Sequence, residues 1–395
     1  MKDLKIFTEN IDQKAKEQID LLLEQEAFKN CKVRIMPDVH AGAGCVIGFT
    51  ADLGDKVIPE IVGVDIGCGM TWVKLKNKDL DLKELDDYIR ANIPSGMNVR
   101  DNIIPVNIDL RKLKCYKQLR NAGNYLKKSL GTLGGGNHFI EIDKASNGDL
   151  YLVIHSGSRN LGKQVCEIYQ DKAIKYCSYE KEMEIERQNI ITTLKEMGKQ
   201  TESSKALEEL KQKYNGKLKL PRDLCYIEGN DRADYLHDMR ICQQWATMNR
   251  YNMIKIITDK FGGYDTIHET RHNYIGEDNI VRKGSISAYK DEIVLIPMNM
   301  RDGCLIAKGK GNEDWNNSAP HGAGRIMPRM EARNKLKLED YEKSMADIFT
   351  TSVSTKTIDE APMVYKPMQE IIDCIKDTVD IVDIIKPIYN FKASK

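Results

Sequence analysis

His321 stands in the run Ser318-Ala-Pro-His-Gly-Ala-Gly-Arg325, where a ring nitrogen is flanked by residues too small to obstruct a phosphate. A neutral imidazole can attack phosphorus and form a phosphoramidate, dividing one hard displacement into two easier ones. Gly322, Ala323 and Gly324 leave room for the phosphate, and Arg325 can offset negative charge as it develops. The same run also suits a helix N-terminus packed closely through small residues. Upstream, Gly309-Lys-Gly-Asn-Glu-Asp-Trp315 adds a loop carrying Lys310, with Lys308 just before it. The Lys-x-Asp-Gly signature of lysine nucleotidyl transfer is absent, since Met300-Arg-Asp-Gly303 has arginine in its place. That argues against a lysine-based ligase.

Metal chemistry is suggested by four further runs. Gly63-Val-Asp-Ile-Gly-Cys-Gly69 delivers Asp65 and Cys68 into a glycine loop, where a carboxylate and a thiolate three residues apart can meet one divalent cation and the thiolate can bridge two. Leu130-Gly-Thr-Leu-Gly-Gly-Gly-Asn-His-Phe-Ile-Glu-Ile142 places Asn137, His138 and Glu141 behind a triple glycine whose backbone N–H groups can approach a phosphate, without the lysine of a P-loop. Ile154-His-Ser-Gly-Ser-Arg-Asn-Leu-Gly162 puts His155 at a strand end ahead of two hydroxyls and Arg159, and Arg271-His-Asn273 supplies His272 beside Asn273. Taken singly, each has a structural reading: a strand-to-turn junction, a satisfied histidine, a capped helix start, a turn. Together Asp65, Cys68, His138, His155 and His272 have the composition of a two-metal site for manganese or zinc, and the histidines and cysteine disfavour an all-oxygen magnesium site. In Met36-Pro-Asp-Val-His40, Asp38 can orient an imidazole as a supporting carboxylate. His237 and His268 lack such company and are given structural roles.

The elements that must position these residues read as a mixture. Ile11, Ala15, Ile19, Leu22 and Leu23 mark an amphipathic helix over 11–28. Short apolar runs punctuated by glycine, Val33–Met36, Cys45–Phe49 and Ile61–Val64, read as buried strands joined by functional loops. A helix from Leu82 to Ile93 stops before Pro94, and strands are expected over Phe139–Ile142, Tyr151–Ile154 and Ile293–Ile296. From Lys163 to Lys219 the chain turns charged and glycine-poor, as in a helical hairpin. Helix resumes from Asp231 to Thr258, and further helices are expected at Leu338–Met345 and Pro367–Ile385. The fold class is therefore α+β: a single domain over 1–395, a mixed β-sheet core with surrounding helices, and a helical insertion at 163–260.

Composition narrows the function classes. Hydrophobic residues make up 41% and charged residues 30% of 395, an ordinary globular balance that excludes a disordered chain. No run approaches ~18 uninterrupted apolar residues, so no membrane partner is expected. Met1–Ile6 show no apolar stretch with a cleavage site, which makes cytoplasm the default. Ten cysteines occur with no pair at two-residue spacing, which excludes a zinc ribbon or thioredoxin-like motif and leaves most of them as small buried hydrophobes. A net charge of +1 means that nucleic acid could be held only by a local patch.

With these motifs in order, from Met36-Pro-Asp-Val-His40 to Pro362-Met-Val-Tyr-Lys366, the chain resembles the RtcB family of GTP-dependent RNA-splicing ligases. The resemblance implies the family's own α+β fold and a ligase, cytoplasmic, that joins RNA 2′,3′-cyclic phosphate or 3′-phosphate ends to 5′-hydroxyl ends in RNA repair or tRNA splicing. It implies GTP and two Mn²⁺ ions as cofactors, RNA as partner, and an archease-like activator as a further partner. His321 resembles the residue that takes GMP covalently, with Asp38 orienting it. Cys68, His155 and His272 resemble one manganese set, and Asp65, Cys68 and His138 the other. Asn137, His138, Glu141, Asn273, Pro297, Met298, Asn299, Met300, Cys304, Gly322, Ala323, Gly324 and Lys392 fall where the family contacts guanylate, with Tyr365 packed on the base. Arg159 and Arg325 are read as RNA-phosphate contacts. The chain departs from the common pattern at Pro297-Met-Asn-Met300, where many members read Pro-Gly-Ser-Met, and at Cys304 and Pro328, where serine is common; its tail also runs three residues past Lys392. These departures suggest a divergent branch. Two alternatives follow from them: a metal-dependent RNA-end phosphoesterase that no longer ligates, and a non-catalytic RNA-binding subunit.

Overall fold

A computed structural model describes residues 3–121 and 123–393. Met1, Lys2 and the last two residues of the tail past Lys392 lie outside them. The centre is a seven-stranded antiparallel sheet, in the order Ile293–Asn299, Gly303–Gly309, Val379–Lys392, Phe139–Lys144, Leu150–Ser156, Gly69–Leu75 and Tyr264–Arg271. A second sheet of five strands runs Asp3–Ile6, Lys32–His40, Ile47–Asp52, Ile280–Lys283 and Asn273–Ile275. Its first pair is parallel and the others are antiparallel. The two sheets meet where Arg271 ends one strand and Asn273 begins the next, so His272 sits at their junction. The pattern is that of the expected α+β fold with a mixed sheet core.

Helices pack around this frame. Gln13–Leu23 is capped by the Asp12 carboxylate, which accepts from the Ala15 N–H, and it buries Ala15, Ile19, Leu22 and Leu23, the stripe that its spacing predicted. Leu82–Asn92 is capped by Asp81. Gly229–Phe261, 33 residues long, is buried along much of its length and packs against Gly69–Leu75 and Leu150–Ser156. Asn160–Tyr176 packs beside it. Between these two, Glu180–Glu196 and Ser203–Tyr214 form a hairpin of which only Leu210 is buried. Ion pairs such as Lys213 with Glu186 and Lys219 with Glu182 lace its surface. No helix among the described residues is long and apolar enough to cross a membrane.

Two local expectations fail, each for a physical reason. Ile61–Val64 was expected as a strand, but Pro59–Val62 is a helical turn. A short buried apolar run carries no periodicity to separate the two states, and Pro59 at the first turn presets helical φ. Pro367–Ile385 was expected as a helix, but the helix covers only Met368–Cys374, and Val379–Lys392 is a 14-residue strand. Its β-branched run Val379, Ile381, Val382, Ile384 and Ile385 favours the pleated form. The strand is held between Gly303–Gly309 and Phe139–Lys144. That error matters, because this strand delivers Lys392 to the site.

Candidate metal and nucleotide site

Cys68 leaves its loop just before the strand Gly69–Leu75, and His155 lies near the end of the neighbouring strand, with Met70 and His155 in register. Phe139 is in register with His155 on the other side, which brings His138 alongside. The ligand atoms of Cys68, His138 and His155 lie within 4.8 Å of one another. Cys68 Sγ is 3.5 Å from His138 Nε2 and 3.3 Å from His155 Nε2. His155 Nε2 lies 3.4 Å from His272 Nε2, and His138 Nε2 lies 3.0 Å from Asp65 Oδ2.

The donor set has the chemistry of a metal site. His138 Nδ1 donates to the Leu133 carbonyl at 2.9 Å and His155 Nδ1 to the Asn137 carbonyl at 3.2 Å, so each ring turns its Nε2 inward, that of His138 toward the Asp65 carboxylate. Burial, and then the neighbouring His272, hold His155 well below its ordinary pKa; burial and then His321 do the same for His272. Nitrogen and sulfur donors brought this close, and held neutral by burial, are the set that a borderline divalent cation would bind. Burial, and then the Asp65 charge, push the Cys68 thiol well above its ordinary value; a divalent cation inverts this and deprotonates the thiol. For Asp65, burial acts to raise the carboxyl, but the His138 hydrogen bond and charge outweigh it.

His321 faces the same space. Its Nδ1 donates to Asp38 Oδ2 at 2.6 Å, and its backbone N–H donates to the same oxygen at 3.1 Å. Asp38 is fully buried, while the His321 side chain keeps 18% exposure. The Nδ1 proton is thereby fixed, which leaves Nε2 as the free nucleophilic nitrogen. The His321 and His272 ring centroids are 4.9 Å apart. Both line a cavity of about 690 Å³, within the usual range for small-molecule sites.

Most of the residues expected at guanylate line this cavity: Asn137, Glu141, Pro297, Met298, Asn299, Met300, Gly322, Ala323, Gly324, Tyr365 and Lys392. His138, Asn273 and Cys304 do not. Asn273 Nδ2 donates to the Asp65 carbonyl and its Oδ1 accepts from the Gly284 N–H, so it ties the metal loop to the second sheet. Cys304 is fully buried, with its sulfur within 4.8 Å of Glu141 and Asp143 carboxylate oxygens. The Asn299 side chain is engaged within its own turn, accepting from the Arg301 and Asp302 N–H groups. Gly324 (φ +75°) serves packing as much as space, because a Cβ there would meet the Asp38 carbonyl oxygen at 2.3 Å.

Arg159 and Arg325 are held by the protein. Arg159 donates to Thr132 Oγ1 at 3.0 Å and to the Gly96 carbonyl at 2.8 Å. A Cβ on Gly134 (φ +85°) would come within 1.9 Å of its guanidinium, so one glycine of the Gly-rich loop makes room for an arginine. Arg325 donates to the Asp359 carbonyl at 2.6 Å and lies over the Tyr365 ring. His237 is bonded to Asp238 and His268 stacks on Trp72. All ten cysteines are free and nine are buried.

Sequence reading missed the braces. Asn249 Oδ1 accepts from the Gly131 and Thr132 N–H groups, while its Nδ2 donates to the carbonyls of Thr132 and Gly157. Arg250 donates to the carbonyls of Gly67 at 3.1 Å and Ser156 at 2.6 Å and pairs with Glu269. Both lie in the middle of the largely buried helix Gly229–Phe261, where polar side chains must find partners. Glu360 and Asp143, both buried near the cavity, were also missed.

The family described as tRNA-splicing ligase RtcB matches residues 25–119 and 110–393. The chain belongs to the RtcB family. It is 29% identical over 404 residues to the RNA-splicing ligase RtcB of Escherichia coli strain K12, covering 91% of this chain and 90% of that one. It is 30% identical, with the same coverages, to the RNA-splicing ligase RtcB1 of another Escherichia coli strain. The tRNA-splicing ligase RtcB of Archaeoglobus fulgidus is 24% identical, over 86% of this chain and 83% of that one.

Proposed function

We propose that this RtcB-family protein is a single-domain RNA ligase, with residues 163–260 as its helical segment. It joins RNA 2′,3′-cyclic phosphate or 3′-phosphate ends to 5′-hydroxyl ends, using GTP and two Mn²⁺ ions. One observation carries the reading: the Asp38–His321 pair fixes the imidazole so that Nε2 opens into the cavity that His155 and His272 also line. Asp65, Cys68 and His138 would hold one ion, and Cys68, His155 and His272 the other, sharing the sulfur. Bound there, the ions would withdraw charge from the triphosphate and from the RNA phosphate.

In the first step His321 Nε2 forms a bond to the α-phosphorus of GTP as the bond to pyrophosphate breaks. The proton stays on His321 Nδ1, held by the Asp38 carboxylate, which offsets the positive charge that the ring acquires. Water opens a cyclic end at its 2′ ester bond to give the 3′-phosphate; an oxygen of that phosphate takes the GMP phosphorus from Nε2, and attack by the 5′-hydroxyl oxygen on the 3′-phosphorus releases GMP and closes the strand. Glu141 and Lys392 suit guanine: an acceptor for its N–H edge and a donor for its carbonyl. The RNA and an archease-like activator are the partners expected of such an enzyme, with cytoplasm as its compartment.

The test is incubation with radiolabelled GTP and Mn²⁺. An acid-labile, alkali-stable label on His321 and a joined product from 3′-phosphate and 5′-hydroxyl RNA strands are expected. Labelling that persists in His321→Ala would sink the assignment. Release of phosphate from RNA ends without GTP or joining would favour the phosphoesterase reading instead.

A further inference from the structure

Lys392 and Tyr365 reach the cavity from distant parts of the chain, one from the end of the strand Val379–Lys392 and the other from the segment after Pro362–Val364. One buried carboxylate oxygen joins them. Glu360 Oε2 accepts from the Tyr365 hydroxyl at 2.7 Å and pairs with Lys392 Nζ at 2.8 Å. Its other oxygen, Oε1, faces Arg329 and lies 3.6 Å from Arg325 NH1. The side chains of Glu360 and Lys392 are 3% and 4% exposed. Burial opposes ionisation of Glu360, but Lys392 first, and then Arg329, outweigh it and hold the carboxyl down to about 2.

We infer that Glu360 is the positioning residue of the nucleobase subsite: a fixed anion that holds the Lys392 ammonium and the Tyr365 ring in the arrangement that a purine with a carbonyl edge requires. The inference rests on the guanylate reading of the cavity. Glu360 does not line the cavity, whereas Tyr365, Lys392, Arg325 and Arg329 do. It therefore acts through them. Two long side chains fixed before the ligand arrives spare binding the cost of ordering them. Replacing Glu360 by glutamine keeps the shape and removes the charge that fixes both.

The experiment has two arms. In the protein without nucleotide, Lys392 should resist an amine-reactive anhydride, read by mass spectrometry, and Glu360→Gln should raise its labelling at least tenfold. In His321 guanylylation, Glu360→Gln should raise the KM for GTP about tenfold while kcat at saturating GTP stays within threefold. The double variant Glu360→Gln/Lys392→Met should be no worse in KM than Lys392→Met alone. Tyr365→Phe, which removes only the hydroxyl, should raise KM about threefold, and it serves if the glutamine variant fails to fold. Equal labelling of Lys392 in both proteins would overturn the clamp whatever the nucleotide. Multiplicative KM effects in the double variant, or a loss confined to kcat, would overturn its role in binding. Failure of wild-type protein to form the adduct would overturn the guanylate reading instead, while the labelling arm still decides the clamp.

Discussion

Two parts of the cavity wall are built on opposite electrostatics. Around Cys68, His155 and His272, a thiol and two imidazole nitrogens converge through contacts of 3.3 and 3.4 Å. Around Glu360, a buried carboxylate is surrounded by Lys392, Arg325, Arg329 and the Tyr365 hydroxyl. The first arrangement gathers donor atoms that a cation would join, while in the second the carboxylate is already paired with cations of the protein. The contrast teaches where binding energy is spent: the histidine side stores unmet coordination, and the glutamate side is organised in advance. Glu141 sharpens it. It lines the same cavity, yet burial pushes its carboxyl up to about 7 despite Asn390 and Lys392.

The largest effect should come from the unmet side. Cys68→Ala removes the sulfur common to both ligand sets, and guanylylation should fall about 1,000-fold or more, consistent with losing a metal that carries the transition-state charge. Manganese content, measured by mass spectrometry, should fall with it. Retained metal at wild-type stoichiometry would contradict the shared-ligand assignment. Arg250→Met should come next. It leaves the Gly67 and Ser156 carbonyls without their donor and Glu269 with only Thr247 and Arg271, at a cost of about 3 kcal/mol in urea unfolding. A loss below about 1 kcal/mol would mean that the metal loops do not depend on this brace.

The two glutamates should then move in opposite directions with pH. Glu360 is held below its unfolded value, about 4.3. Its stabilisation is present above that value and lost as pH falls through about 2. Glu360→Gln should therefore flatten the acid limb of thermal stability. Glu141 is raised, so its ionisation costs stability as pH climbs from about 4.3 through about 7. Glu141→Gln should raise the melting temperature at pH 8 while weakening GTP binding. Parallel shifts in the two variants would erase the distinction drawn between them. Smallest of all, Cys242→Ala, which empties a fully buried thiol site away from the cavity, should cost about 1 kcal/mol and leave ligation within twofold.

Much of the candidate site was legible because its chemistry is short-range in sequence. Asp65 and Cys68 share one loop, Asn137 and His138 another, and His321 lies among small residues that few other roles require. The helix faces at Gln13–Leu23 and Leu82–Asn92 were legible for a similar reason, since periodicity and capping are local. The misread segments were those where local signals are silent or conflict. Pro59–Val62 is too short and too buried to show a period, and Val379–Lys392 follows directly on a helical segment. What the sequence did not show of Arg159 is that it donates to Thr132 Oγ1 and to the Gly96 carbonyl, 27 and 63 residues away.

The sequence by itself determined which groups could do chemistry, because nucleophile, ligand and orienting carboxylate are set by residue type. Only the tertiary structure decided how those groups meet and what holds them. The pairing of strands placed Met70 and Phe139 on either side of His155 in register. The long strand carried Lys392 to Glu360, and a buried helix set Asn249 and Arg250 beneath the loops. Such contacts join residues tens to hundreds of positions apart. They arise because buried polar groups must find partners wherever the packed chain supplies them, a constraint that acts in space and leaves little trace in local sequence.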